Sequence, residues 1–302
     1  MDLSIIIISY NTKEVTDHCL QSVFDASWRS TFEVIVVDNN STDGSVDMIK
    51  RKYPVVRLIS NESNRLFSIA NNQGAAIARG KYLLLLNSDT QLSGDNMQRL
   101  VDHFETLPDE VACLGPKVLN VDGTTQSVGF PQYGLRAMVF KHFLRHVVPS
   151  RWIVGRLARI LAAPCDEERR VGYVSGCCML LRREQFLKAG CLNENIEFYG
   201  EELELGYRLK KKFGMSTVYW PGAEIVHLGG MSTPKKTDRV TSCRRYGKLV
   251  LQTIGSDKAV AISDLTIVSY FLKLIFAKDK AVFREMISYE KEVRKYLKTL
   301  KV

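Results

Sequence analysis

Residues 82–90 read Tyr82-Leu83-Leu84-Leu85-Leu86-Asn87-Ser88-Asp89-Thr90. Four successive leucines cannot lie on a surface. A short apolar run closed by polar turn residues reads as a strand buried on both faces, at the centre of a parallel sheet. In such sheets ligands bind beyond the carboxyl ends of the strands. That places Asn87, Ser88 and Asp89 at a mouth, where a carboxylate can hold Mg2+ or Mn2+ and leave positions open for two phosphates. An ordinary strand-ending turn accounts for the same string without any ligand.

The residues before this run repeat its logic. Ser4–Ser9 is β-branched, Glu14–Ala26 places Val15, Cys19, Leu20 and Val23 on one helical side, and Phe32–Val37 is a second strand. Thr42–Tyr53 follows as a helix with Ser41 as its expected N-cap. Val55–Ile59 is then a third strand and Ser68–Arg79 a third helix. This βαβαβαβ rhythm predicts an α/β fold, a mostly parallel sheet with helices on both faces. Polar residues directly after its strands gather at one rim: Ser9, Tyr10 and Asn11; Asp38, Asn39 and Asn40; and Asn87 to Asp89.

Downstream the pattern is mixed. Val111–Leu119 and Val171–Arg182 read as strands, Glu201–Phe213 as a helix stopped by Gly214, and Ser216–Trp220 and Glu224–His227 as two short strands. Acids in the first helical turn at Glu201, Glu202 and Glu204 are favoured by the helix dipole. The same field would keep a general base ionised. His227 precedes Leu228-Gly229-Gly230. A lone histidine is more often structural than a ligand, but Asp89 gives it a candidate partner at a metal. Basic helices follow at roughly 240–254, 258–277 and 280–300, with a soft boundary near residue 235.

Composition narrows the class. Of 302 residues, 45% are hydrophobic and 25% charged, as in a globular protein with a real core. The seven cysteines are odd in number and contain no C-x-x-C pair, which argues against a zinc site or disulfide framework and fits a reducing cytosol. The net charge of +9 resides entirely in residues 235–302, with sixteen Lys/Arg against seven Asp/Glu. Residues 123–165 carry six basic residues and no acid. No nucleic-acid recognition motif accompanies the charge. Met1-Asp2-Leu3-Ser4 does not read as a secretory leader, and no apolar run is long enough to span a bilayer. Neither G-x-G-x-x-G nor a P-loop string occurs. A nucleotidyltransferase would need a glycine-rich pyrophosphate loop where Ser9-Tyr10-Asn11-Thr12 stands.

Six strings, in order, carry a family likeness: Ser4–Asn11, Val36–Ser45, Asn64–Gly74, Tyr82–Thr90, Phe198–Leu205 and His227–Ser232. Together the chain resembles the inverting glycosyltransferases of family 2, of GT-A fold, in their rhamnosyltransferase-like branch. The resemblance implies a catalytic domain over 1–234, with a donor half at about 1–120 and an acceptor half at about 121–234. Residues 235–302 would form a basic helical extension. It implies a nucleotide-diphosphate sugar donor, dTDP-rhamnose first and a UDP-sugar next, and a glycan or lipid-linked acceptor in cell-surface polysaccharide or glycolipid synthesis.

It also implies roles. Asp38 would meet the nucleoside, with Ser9, Tyr10 and Asn11 beneath it and Asn40, Asn64 and Asn72 lining the donor site. Asn87, Ser88 and Asp89 would form the D-x-D element, with Asp89 and His227 on the metal. Glu202 would be the catalytic base, with Glu201 and Glu204 on the acceptor side. Three departures stand out: Asn87 replaces the first D-x-D aspartate, Glu202 replaces an aspartate, and Leu66 and Ser68 replace glycines. They motivate an alternative, a catalytically degenerate relative kept as a membrane-associated binding module.

Residues 135–163 mix Phe140, Phe143 and Trp152 with six basic side chains, as in a helix lying in an anionic interface. Residues 259–277 are apolar nearly all round, suited to lipid, a second copy of the chain, or internal packing. Residues 135–163 and 258–302 together fit a cytoplasmic protein held peripherally at the inner face of the membrane, in contact with anionic lipid.

Overall fold

The computed structural model describes residues 1–126, 166–196 and 200–229, together with isolated positions between 264 and 294. The proposed membrane-contact segments 135–163 and 258–302 therefore lie almost wholly outside the described residues, as do Phe198, Tyr199 and Gly230–Ser232. The chain divides into two compact units, Met1–Gly129 with Cys165–Lys235, and Phe130–Pro164 with Lys236–Val302. The sheet and the candidate site belong to the first unit.

That unit opens β1 (Leu3–Ser9), α1 (Lys13–Asp25), β2 (Phe32–Asp38), α2 (Ser45–Lys52), β3 (Arg57–Ser60), α3 (Leu66–Ile77) and β4 (Tyr82–Asn87). It continues β5 (Thr90–Gln91), α4 (Asn96–Thr106), β6 (Val111–Leu119), β7 (Arg169–Val171), β8 (Cys178–Arg182), α5 (Arg183–Lys188), α6 (Glu201–Phe213) and β9 (Ser216–His227). Among the described residues one sheet holds all nine strands, in the order β3-β2-β1-β4-β8-β6-β9-β5, with β7 also paired to β9. β1 to β4 are mutually parallel, as the alternating pattern predicts.

The leucine run sits where its composition demands. β4 lies between β1 and β8, and Leu83 to Leu86 are each at most 2% exposed. Burying a leucine side chain contributes about 1.5–3 kcal/mol, so the polar residues that follow are anchored by a stiff support. Register aligns the strand ends, since Ser9 pairs with Asp38 and Ile8 with Asn87. The three polar strings thus share one rim.

The second half departs from the expected pattern. The strand expected over 171–182 is two, because a loop at 172–177 interrupts it and Cys178 N–H turns back onto the Ser175 carbonyl at 3.2 Å. β8 then runs antiparallel to both β4 and β6. This orientation brings its starting end, not its finish, to the ligand rim. Conversely, the two short strands expected at 216–227 are one strand, with a register shift opposite Pro116 and Lys117 that absorbs Pro221–Ala223. β9 is parallel to β6, so His227 also ends at the rim.

Local capping differs too. α2 begins at Ser45 behind Gly44, whose φ is +85°, so Ser41 is not its N-cap. Ser41 instead accepts the Asn11 N–H at 2.9 Å. Asp43 serves both neighbouring helices, accepting Ser45 N–H at 3.0 Å and Lys13 N–H at 2.8 Å. On α1, Thr16 rather than Val15 enters the buried face, its hydroxyl within 3.3 Å of Ser9 and 3.1 Å of Thr12.

Candidate active site

Three groups of side chains meet the rim. The first surrounds Asp38. Its carboxylate is 1% exposed, and Oδ1 accepts the Ser41 N–H at 2.8 Å. Oδ2 is buried and has no partner among the described residues. A buried carboxylate oxygen without a donor is costly. One from a ligand N–H or O–H would satisfy it. Asn11, at φ +51°, accepts Thr42 N–H through Oδ1 at 2.8 Å, tying the loop after β1 to the loop after β2. Asn40 is exposed at φ +69°.

Sequence reasoning missed the residues that stiffen this corner. Asn61 donates to Asn39 Oδ1 at 3.0 Å and exchanges amide hydrogen bonds with Gln73 at 2.9 Å. Asparagines after strands signal turns, and nothing in their spacing distinguishes a partner 22 residues away.

The first turn of α3 holds two of the departures from the family pattern. Leu66 sits at φ +64°, the left-handed region that glycine adopts freely. The Ser68 hydroxyl is buried without a partner among the described residues. Asn64 accepts the Leu66 N–H at 2.9 Å, so it caps this strained turn. The left-handed conformation costs an L-residue roughly 1–2 kcal/mol, against about 0.5–1 kcal/mol for glycine's added unfolded-state entropy. Leu66→Gly is therefore expected to stabilise the fold by about 0.5 kcal/mol, the half-buried leucyl side chain limiting the gain. A raised urea midpoint at unchanged slope checks it; a lowered midpoint would show that the leucine's packing dominates.

The second group is Asp89 with His227. Thr90 pairs with His227 across β5 and β9, and Leu228 N–H reaches the Asp89 carbonyl at 2.8 Å. These backbone bonds hold His227 Nε2 at 3.2 Å from Asp89 Oδ1, with Asp89 4% exposed. The pair expected from sequence thus stands face to face. No cluster of three or more His, Cys, Asp or Glu occurs among the described residues. Two protein donors suit a cation that completes its shell from phosphates and water. Ser88 is buried, 3.5 Å from the Thr12 hydroxyl.

The third group begins α6. Gly200, at φ +108°, turns the chain into the helix, and Gly214, at φ +67°, ends it as expected. Gly206 lets the helix approach the loop after β7: a Cβ there would lie 1.9 Å from the Gly172 carbonyl oxygen. This contact fixes Glu201 and Glu202 over the same loop, where Glu202 Oε2 and Phe67 both face Gly176. The thiol of neighbouring Cys177 is pushed up to about 12 by burial, with the charges of Asp89 and Glu202 both adding to the rise. Cys177 O in turn accepts the Asn87 N–H at 2.9 Å. Asp89 and Glu202 therefore both approach Cys177.

The electrostatics of the glutamates run against the helix-dipole expectation. Burial pushes Glu202 above the ordinary carboxylate range, and the backbone N–H groups of Glu202 and Gly200 only partly offset it. Burial, then the neighbouring Glu202 charge, raises Glu201 to about 8, and its Oε2 has no partner among the described residues. The folded state thus binds a proton that the unfolded chain releases. Stability is then expected to fall as pH rises from about 4.5 to about 8. Glu201→Gln should flatten that slope. Urea midpoints at about pH 5 and about pH 8 read it, and an unchanged slope in the variant would refute it.

Two expected residues lie elsewhere. Both oxygens of Glu204 are held by Arg208, at 2.9 and 2.7 Å, and Arg208 also donates to the carbonyls of Ala189 and Cys191. Glu204 is a brace, not a free acid on the acceptor side. Asn72 exchanges amide bonds with Leu192, at 2.9 and 3.0 Å, and reaches Glu194, so it clamps the 191–194 loop rather than standing free towards a donor. Both line a separate open cavity of about 590 Å³ with Cys191, Glu194, Arg208 and Lys212.

The fold is that of the GT-A glycosyltransferases. The chain belongs to glycosyl transferase family 2, whose family profile matches residues 4–159. It is 28% identical over 247 residues to the N-acetylglucosaminyl-diphospho-decaprenol L-rhamnosyltransferase of Mycobacterium tuberculosis, covering 76% of this chain and 77% of that one. It is 29% identical over 133 residues to the poly(ribitol-phosphate) beta-glucosyltransferase of Bacillus spizizenii, covering 42% of this chain and 21% of that one.

Among solved structures, GalNAc-T7 with UDP, GalNAc and Mn2+ superposes with a TM-score of 0.62 at 16% identity, over 100% of this chain and 56% of that one. TarS residues 1–349 from S. aureus superposes with a TM-score of 0.56 at 13% identity, over 99% of this chain and 92% of that one. Both are similar in fold.

Proposed function

We propose that this glycosyltransferase moves a sugar, with inversion at the anomeric carbon, from a nucleotide-diphosphate donor to a hydroxyl of a glycan or lipid-linked acceptor in cell-surface polysaccharide synthesis. The observation that carries the reading is the approach of Asp89, itself paired with His227, and of Glu202 to one residue, Cys177, with the unpartnered Asp38 oxygen on the same rim as Asp89. The Mycobacterium relative favours a dTDP-rhamnose donor and a polyprenyl-diphosphate-linked acceptor, with a UDP-sugar next.

Asp38 Oδ2 accepts a hydrogen bond from the nucleoside, satisfying its buried charge. Asp89 and His227 would hold Mg2+ or Mn2+, which would supply positive charge against the departing diphosphate. Glu202 accepts the proton of the acceptor hydroxyl as that oxygen forms the new bond to the anomeric carbon. The bond to the diphosphate oxygen breaks on the opposite face. Glu202 is the base and no side chain is a covalent nucleophile.

Residues 1–234 form the catalytic domain in this reading, with the donor half at about 1–120 and the acceptor half at about 121–234. The basic segments 135–163 and 258–302 rest against anionic lipid at the cytoplasmic face, where a lipid-linked acceptor is presented. No helix among the described residues is long and apolar enough to cross a membrane.

A thermal-shift panel of nucleotide sugars with and without Mn2+ tests the donor. The true donor stabilises by mass action, by about 2.7 kcal/mol at a hundredfold excess over Kd. A flat panel overturns the reading in favour of a degenerate binding module. Co-sedimentation with anionic vesicles at low salt tests the membrane contact, and a protein that stays in the supernatant sinks that part alone.

A further inference from the structure

Beyond the two metal donors, a third side chain reaches the same histidine. After β6 the chain reverses through Asn120–Thr124, where Asp122 Oδ1 accepts the N–H and hydroxyl of Thr124 at 3.0 and 2.6 Å and Gly123 sits at φ +79°. Thr125 then bridges back to Leu119, and Gln126 N–H reaches the Val118 carbonyl at 2.8 Å. The reversal delivers the Gln126 amide to both polar groups of His227. Nε2 donates to the His227 carbonyl at 2.8 Å, and Oε1 stands 3.0 Å from Nδ1.

This double contact fixes the amide's direction. The reverse orientation would set two carbonyl oxygens against each other. An amide oxygen only accepts, so Nδ1 must carry the hydrogen. In a neutral imidazole Nε2 then bears a lone pair, aimed at Asp89 Oδ1 3.2 Å away. Two acceptors at that distance repel unless a positive centre lies between or beside them.

We propose that Gln126 is a positioning residue of the cation site: it locks His227 in the Nδ1–H form and turns the Nε2 lone pair, with the Asp89 carboxylate, towards a divalent ion. The proposal rests on the reading of Asp89 and His227 as metal ligands. Groups that orient a ligating histidine through its other nitrogen typically change metal affinity by about 10–100-fold when lost.

The test has two readouts on the full chain. The first is the nitrogen spectrum of the histidine side chains in metal-free protein with the imidazole neutral, His227 being assigned by its disappearance in His227→Gln. The Nδ1–H form is expected, and a dominant Nε2–H form overturns the proposal without need of any Gln126 variant. The second is the Mn2+ dissociation constant, followed by the paramagnetic signal of the free ion. Gln126→Leu is expected to raise it about 10–100-fold; an unchanged constant in a folded variant overturns the proposal. Failure of the underlying reading looks different: Asp89→Asn would then bind Mn2+ as the parent does.

Discussion

Glu202→Gln is expected to lower kcat by about 10²–10⁴-fold, the usual contribution of a general base, while donor affinity stays within about twofold and Mn2+ binding is unchanged. The amide keeps the size and packing of the carboxylate beside Gly176 and Phe67 but cannot accept a proton from the incoming hydroxyl. Because burial raises the Glu202 carboxyl, the protonated and inactive form persists to higher pH than for an exposed glutamate. The acid limb of the wild-type rate profile should accordingly lie above the ordinary carboxylate range and vanish in the variant. Single-turnover transfer with a saturating donor measures the chemistry apart from product release. Normal turnover in the variant would remove Glu202 from the mechanism. Glu201 would then be the neighbour to examine, since Glu204 is already bound on both oxygens by Arg208.

The same residues show how far a sequence reaches. Leu83 to Leu86 announced a central strand because burial on both faces leaves no polar alternation to hide it, and the rim followed from strand direction alone. What failed was decided by partners far along the chain. Val171–Arg182 reads as one strand, but the close approach of Gly206 to Gly172 belongs to helix packing 34 residues on. Ser41 has the chemistry of a cap, yet the Asn11 N–H claims its hydroxyl. The helix dipole does favour an ionised Glu202, but burial outweighs it. That burial depends on the loop at 172–177 covering the helix start, which no local pattern announces. α4 went unread although its Met97, Leu100, Val101 and Phe104 are buried at helical spacing. Gln126 carried no signal at all: the Asp122-Gly123 turn predicts a reversal, not the histidine that waits 101 residues later.

Asp89→Asn should separate the role of the Asp89–His227 pair from that of Glu202. The substitution keeps an oxygen facing His227 but removes the charge that draws a divalent ion, so Mn2+ binding is expected to weaken at least about tenfold. Transfer should fall by about 10²–10³-fold, the equivalent of the several kcal/mol a metal contributes against charge developing on a leaving diphosphate. Because Leu228 N–H bonds to the Asp89 backbone rather than its side chain, the link between the turn after β4 and the end of β9 survives and the unfolding midpoint should barely move. The pattern across two variants carries more than either alone. Glu202→Gln should lose chemistry and keep the ion, whereas Asp89→Asn should lose the ion and, through it, both donor affinity and chemistry. If Asp89→Asn retained Mn2+ binding and full activity, the charge on the diphosphate would have to be met by basic side chains instead. The face-to-face pair at 3.2 Å would then be an imidazolium–carboxylate bridge fastening β9 to the rim.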